Sequence, residues 1–346
     1  MIWIILGIVV VILLALLASQ GYNIYMGTFT FGRTTEVTTA PGEVVQEGTT
    51  FIKFGKFDAK TSKKGTLERV DYTTDAYEDG VTYHKYCNVY LPYGYDPKDK
   101  SKKYNILYFQ HGNTMDPEIF TAPKTKNWLD NLFAAGKVEP VILVFTTFYM
   151  DPARDRAERL KSGFVPAGDG SWDKLPANYY REMVEDILPA VESRYNVYTE
   201  SVDAAGLKAA RDHRGFSGYS RGSACTWYMF HHNLEFFRWF SPMSCHCLAG
   251  KNLQAEVTNE EAYQYLKEAV DAHPELDYYI YVASGGPNDG FFLRSQVAYF
   301  EQQTETFSYG SDPKKNNLYL TLSDFRHSDL FVPYYYYNTL QVLFSK

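Results

Sequence analysis

Ser220 has the clearest chemical setting in this chain. It stands in Gly218-Tyr219-Ser220-Arg221-Gly222, a G-x-S-x-G pattern. His213-Arg214-Gly215-Phe216-Ser217 leads into it, and Ala224-Cys225-Thr226-Trp227-Tyr228-Met229-Phe230 follows with the character of a buried helix. Strand, sharp turn and helix are the context that lifts such a serine above a sheet edge as a nucleophile. The flanking glycines serve that turn. The serine takes a strained backbone conformation, and side chains at 218 and 222 would meet the neighbouring strand and helix. The first N–H groups of the helix then face whatever the serine attacks, with the dipole favouring negative charge. A serine hydroxyl is a weak nucleophile until a base takes its proton. The pattern therefore needs an acid and a histidine downstream, each just past a strand.

The elements that would position these groups alternate along the chain. Val70, Tyr72 and Thr74 alternate, Glu78-Asp79-Gly80 offers a turn, and Val81, Tyr83 and Tyr86 to Leu91 follow, which predicts a hairpin with a D-G turn. Tyr104 to Gln110 and Pro140 to Phe148 are apolar strands, with a helix from Trp128 to Ala135 between them ended by Gly136. Met183, Ile187, Leu188 and Val191 fall on one face of an amphipathic helix from Asn178 to Tyr195. Strands are expected at His213 to Gly218, Trp239 to Met243, Tyr278 to Ser284 and Leu318 to Leu322. Helices are expected at Glu260 to Ala272 and Arg294 to Thr306, with a Tyr-rich helix closing the chain. Such alternation specifies an α/β fold, a mostly parallel sheet covered on both faces.

In such sheets the site lies beyond the carboxyl ends of the strands. Three residues stand there in order: Ser220, Asp289 after Gly285-Gly286-Pro287-Asn288, and His327 after Asp324-Phe325-Arg326. Serine, acid, histidine is the chain order of α/β-hydrolases. Asp277 lies at the amino end of its strand, and Asp324 and Asp329 are too close in sequence to reach the far ring nitrogen of His327. His111 and His246 are the rival histidines; His111 fits better as part of the His111-Gly112 turn. In the roles this order assigns, His327 is the base for Ser220 and Asp289 fixes its tautomer. Backbone N–H groups of Arg221 and Asn113 would hold a tetrahedral oxyanion. The chemistry is acyl transfer through an acyl-enzyme, normally to water, and requires no metal or organic cofactor.

The 346 residues carry a net charge of −7 with no basic cluster, which argues against a nucleic-acid partner. Aromatics reach 17% of residues; this suits handling of sugars or aryl groups, and equally a lineage-specific surface. Ile2 to Ala18 is apolar throughout apart from Gly7, and at ~1.5 Å rise per residue it spans a bilayer core. It is either an uncleaved signal anchor, a transmembrane helix, or the core of a cleaved signal peptide; its length and the lack of a small-x-small site favour the anchor. The chain divides into that segment (1–20), a linker and irregular lead-in (21–64) and a catalytic domain (65–346). The membrane partner is residues 2–18, with the domain outside the cell, or secreted if the segment is cleaved. Cys87, Cys225, Cys245 and Cys247 form no spaced framework, and Cys245-His246-Cys247 lacks a second ligand pair; buried thiols are expected, with a disulfide open for an exported domain.

Several separate motifs carry a resemblance. Asn88-Val89-Tyr90-Leu91-Pro92-Tyr93-Gly94-Tyr95-Asp96-Pro97, Tyr104-Asn105-Ile106-Leu107-Tyr108 with His111-Gly112, Glu139-Pro140, Val191-Glu192-Ser193-Arg194-Tyr195 and His213-Arg214-Gly215-Phe216 together resemble the feruloyl-esterase branch of the putative-esterase (esterase D-like) family. The resemblance runs from about Gly65 to the C-terminus. It implies an α/β-hydrolase fold and ester hydrolysis, often of ferulate or acetate on plant xylan; relatives cleave siderophore or thiol esters, or transfer acyl groups. The chain departs from the family at Arg221 and Ser223, where a small or apolar residue and a second glycine are usual. A long polar segment, Tyr149 to Pro176, lies where the pocket would be walled, and Phe164 and Trp172 within it are candidate substrate contacts. A non-catalytic carbohydrate-binding module on the same scaffold is the reading from another class; a complete triad argues against it.

Overall fold

Alternating residues from Thr66 and a second apolar run from Tyr83 open the fold as an antiparallel pair. The computed structural model describes residues 60–77, 80–113, 115–118, 120–136, 138–152, 157, 174–251, 255–286, 289–290, 292–323 and 325–345, with backbone only at 124 and 174–177. Among these, the strands are β1 (Thr66–Thr74), β2 (Tyr83–Leu91), β3 (Ile106–Gln110), β4 (Ile142–Thr146), β5 (Arg214–Tyr219), β6 (Trp239–Met243), β7 (Tyr279–Ser284) and β8 (Leu318–Leu322). They form one sheet in the order β1-β2-β4-β3-β5-β6-β7-β8. β2 is antiparallel to β1 and β4, and every pairing from β4 to β8 is parallel. With the strand–turn–helix at Ser220, this is an α/β-hydrolase-like fold.

The strands β3 and β4 read as nearly continuous apolar runs because both their faces are covered. In β3, Ile106 and Tyr108 join the core under the helices Lys174–Glu182, Arg221–Asn233, Asn259–Ala272 and Leu293–Phe300. Leu107 and Phe109 point the other way, into the core formed with Pro123–Ala134 and Val332–Val342. The strand that carries the nucleophile is tied down at its start. Arg214 makes two bonds of 2.6 Å to the carboxylate of Glu192, and both side chains are 1% exposed. A pair so buried is satisfied by geometry, since its separated charges would each face an apolar interior.

Four expectations change. The helix expected from Trp128 to Ala135 starts earlier, as Pro123–Ala134. The hairpin exists, but Thr74 pairs with Tyr83, so residues 75–82 connect the strands and the turn is longer than a two-residue D-G loop. Gly80 does take a left-handed φ of 78°. The helix expected from Asn178 to Tyr195 ends at Glu192 and passes through a π-helical turn, Met183–Ile187, before Leu188–Glu192. At that turn the buried carboxylate of Glu182 accepts Lys85 Nζ at 2.7 Å and the hydroxyls of Tyr72 and Tyr77 at 2.6 Å. The helix expected from Arg294 to Thr306 is Leu293–Phe300; the chain turns there so that Phe307 stacks on Phe300, centroids 5.5 Å apart.

The apolar run 2–18 and most of Tyr149 to Pro176, including Phe164 and Trp172, lie outside the described residues. Among the described residues no helix is long and apolar enough to cross a membrane. Cys87, Cys225, Cys245 and Cys247 are all buried free thiols.

Candidate active site

Ser220 sits between β5 and the helix Arg221–Asn233 with φ 55° and ψ −117°, a conformation costly for any residue but glycine. Close packing holds it there. A Cβ on Gly222 would stand 2.1 Å from the carbonyl oxygen of Gln110 at the end of β3, and one on Gly218 would stand 2.2 Å from the Gly222 oxygen. The turn therefore presses against its neighbouring strand with no room for a side chain. Ser220 N–H donates to Met243 O at 2.8 Å, and Ser220 O accepts from Ser223 N–H at 2.8 Å as the helix begins.

Two further strand ends supply its partners. His327 Nε2 lies 2.9 Å from Ser220 Oγ, and His327 Nδ1 lies 2.7 Å from Asp289 Oδ1. A carboxylate only accepts, so Nδ1 carries the proton and Nε2 turns its lone pair toward the serine hydroxyl. The other carboxylate oxygen, Asp289 Oδ2, accepts from Ser244 Oγ at 2.6 Å, Gly285 N–H at 2.5 Å and Ser284 Oγ at 3.3 Å. The Asp289 side chain is 0% exposed and that of His327 34%, so the acid is sealed while the base faces the solvent side. Gly285 lets the two loops meet, because a Cβ there would stand 2.0 Å from Phe325 O. Gly286 N–H donates to that same oxygen at 2.5 Å.

The oxyanion candidates flank the nucleophile. Arg221 opens the helix directly after Ser220, so its N–H belongs to the first turn, whose donors point out of the helix end. Asn113 follows Gly112, and a Cβ on Gly112 would stand 3.1 Å from Ser220 Cβ. Asn113 Oδ1 is buried with no hydrogen-bond partner among the described residues, an acceptor in the loop beside the nucleophile.

Of the rival residues, Asp277 and His111 have partners of their own, and Asp324 lies outside the described residues. Asp277 pairs with Arg238 at 2.5 Å and Arg211 at 3.3 Å, at the opposite end of β7. His111 Nδ1 meets Gly112 O and its Nε2 meets Thr147 Oγ1, both at 2.7 Å, and its ring packs beside those of Phe148 and Tyr149. His246 is 3% exposed, and burial pushes its imidazole down to about 4. Asp329 begins a 3₁₀ turn after the histidine, Asp329–Phe331. Sequence reasoning missed Ser244. A serine directly past β6 is visible in the sequence, but nothing in its type or spacing shows its reach to Asp289, which depends on β6 lying beside β7.

The arrangement can transfer a proton from a serine hydroxyl to an imidazole held by a buried carboxylate, the first step of acyl transfer. Comparison with known proteins gives the family of the chain. Residues 85–317 match the family described as "Putative esterase". Endo-1,4-beta-xylanase Y of Acetivibrio thermocellus is 31% identical over 272 residues, 77% of this chain and 22% of that protein. An endo-1,4-beta-xylanase/feruloyl esterase of Xylanibacter ruminicola is 26% identical over 211 residues, 60% of this chain and 25% of that protein. The chain thus spans about a quarter of the length of these curated relatives. A serine-to-alanine mutant of the feruloyl esterase module from Clostridium thermocellum, complexed with sinapinate, superposes with a TM-score of 0.65 at 26% identity, covering 91% of this chain and 96% of that one. The family match takes in Ser220, Asp289 and the strands that carry them: this chain belongs to the putative esterase family.

Proposed function

We propose that this chain is a serine carboxylic-ester hydrolase that works through an acyl-enzyme on feruloyl or acetyl esters of plant cell-wall polysaccharide. The observation that carries the reading is the unbroken line from Asp289 Oδ1 to His327 (2.7 Å) and from His327 to Ser220 Oγ (2.9 Å). Ser220 attacks the ester carbonyl as His327 Nε2 takes its proton. Asp289 stabilises the imidazolium that forms. N–H groups of Arg221 and Asn113 hold the oxyanion. His327 then returns the proton to the leaving alcohol, and a water, activated by the same nitrogen, releases the acid. The feruloyl part of the substrate class is supported by the relatives' printed names, a xylanase, a xylanase/feruloyl esterase and a feruloyl esterase module; the acetyl part rests on the sequence resemblance. Phe164 and Trp172 follow β4, which ends at the sheet edge that carries Ser220, and are proposed to contact the acyl or sugar group. Residues 2–18 are proposed to tether the domain to a membrane, with the domain on the outer side.

The test is a panel of acetyl, butyryl and feruloyl esters together with a fluorophosphonate probe. The reading expects hydrolysis of feruloyl or acetyl esters and labelling that disappears in Ser220→Ala. No hydrolysis and no labelling would favour a carbohydrate-binding module. Partition of full-length protein with membranes, with its N-terminus retained, tests the tether; a mature N-terminus between Ala18 and Tyr25 would show cleavage.

A further inference from the structure

Ser244 follows β6 in a left-handed conformation, φ 58°. Outside glycine such a backbone is uncommon and costs energy, so something must hold it. Here the segment is fixed from several sides. Ser244 N–H donates to Ala283 O at 2.9 Å. The next residue, Cys245, bridges to Gly290, directly after the acid. The Cys245 carbonyl accepts Ser223 Oγ at 2.7 Å and Trp227 Nε1 at 3.1 Å, both from the nucleophile helix. The Ser223 hydroxyl and the Trp227 indole N–H together tie this segment to the nucleophile helix. The outcome is that Ser244 Oγ, buried and 2.6 Å from Asp289 Oδ2, meets the carboxylate oxygen that His327 leaves open.

We infer that Ser244 is a positioning residue for the reaction. Its hydroxyl, together with the Gly285 N–H that shares Oδ2, sets the rotation of the Asp289 carboxylate so that Oδ1 faces His327 Nδ1, and the ties through Cys245 keep that hydroxyl registered to the nucleophile helix. Rigid support of this kind governs how well a charged pair keeps its geometry as the imidazolium forms. The inference rests on the triad reading above. It adds a residue that never touches substrate and acts only through Asp289.

The experiment is a double-mutant cycle on the full chain with an aryl acetate as substrate. Ser244→Gly removes the hydroxyl while glycine accepts the backbone conformation; Ser244→Ala is the second variant, should glycine loosen the segment. Ser244→Gly is expected to lower kcat about tenfold with KM within about twofold, the pattern of a contact that matters in the transition state. In the Asp289→Asn background the same change is expected to cost less than about twofold, because there is no carboxylate left to orient. The low-field proton resonance of His327 Nδ1–H should broaden or shift in Ser244→Gly. Wild-type kcat and an unchanged resonance in both variants would overturn the inference. An equal loss in both backgrounds would also overturn it, by showing a general structural effect. The Ser220→Ala control separates the two claims: if it retains full activity, the triad reading itself falls.

Discussion

The ring of Tyr219 lies against the ring of His327, centroids 5.0 Å apart and planes 24° apart. Tyr219 is the residue before the nucleophile and is 2% exposed, so the elbow that places Ser220 also supports one face of its base. A stacked aromatic contact of this kind contributes about 0.5–1.5 kcal/mol beyond its buried area. Tyr219→Phe, which keeps the ring, should leave kcat within about twofold. Tyr219→Leu should lower kcat by about tenfold, the scale of ~1.4 kcal/mol in a barrier. Steady-state kinetics on an aryl acetate decide it; equal rates in both variants would mean that the stack does not hold the histidine.

Ser220, His327 and Asp289 are expected to behave as one unit. Ser220→Ala and His327→Ala should each lower kcat by several orders of magnitude, and the double variant should lose little more. Asp289→Asn should be severe too, on the order of 10⁴-fold, since an amide in contact with Nδ1 selects the wrong tautomer. Near-full activity in Asp289→Asn would show that another group orients His327.

His246 makes stability depend on pH. Its imidazole is held neutral, down to about 4, by burial. The unfolded chain, with histidine near ~6.5, binds the proton first as pH falls. The stability that neutral His246 contributes is therefore full above about pH 6.5, declines below it and is gone near about pH 4, where both states are protonated. His246→Gln should accordingly show a smaller fall in Tm than wild type between pH 7 and pH 5. Equal falls would place the acid sensitivity elsewhere.

Much of this arrangement was legible because strands and their ends leave strong marks. The runs Trp239 to Met243 and Leu318 to Leu322 match β6 and β8 residue for residue. Once strand ends could be placed, the order of Ser220, Asp289 and His327 followed, and the structure brings the three side chains together. The close approach of Gly222 to Gln110 has a local mark, the glycine pair itself. Ser244 was illegible for the opposite reason: its role needs β6 beside β7 and a left-handed backbone, neither of which its type or spacing reveals. The π-helical turn at Met183–Ile187 leaves the apolar spacing intact, so periodicity alone passes over it. The hairpin turn was misjudged because Gly80 does take a left-handed conformation, while the register of Thr74 on Tyr83 places it inside a longer loop.

The central claim is an acyl group carried on Ser220. The most direct measurement is peptide mass spectrometry after the enzyme is mixed with 4-nitrophenyl acetate and quenched in acid during turnover. The account predicts an acetyl increment on the peptide that contains Ser220, absent from Ser220→Ala, with nitrophenolate released at a rate that falls by orders of magnitude in that variant. Turnover that continues in Ser220→Ala, with no acetyl group on the wild-type peptide, would contradict it.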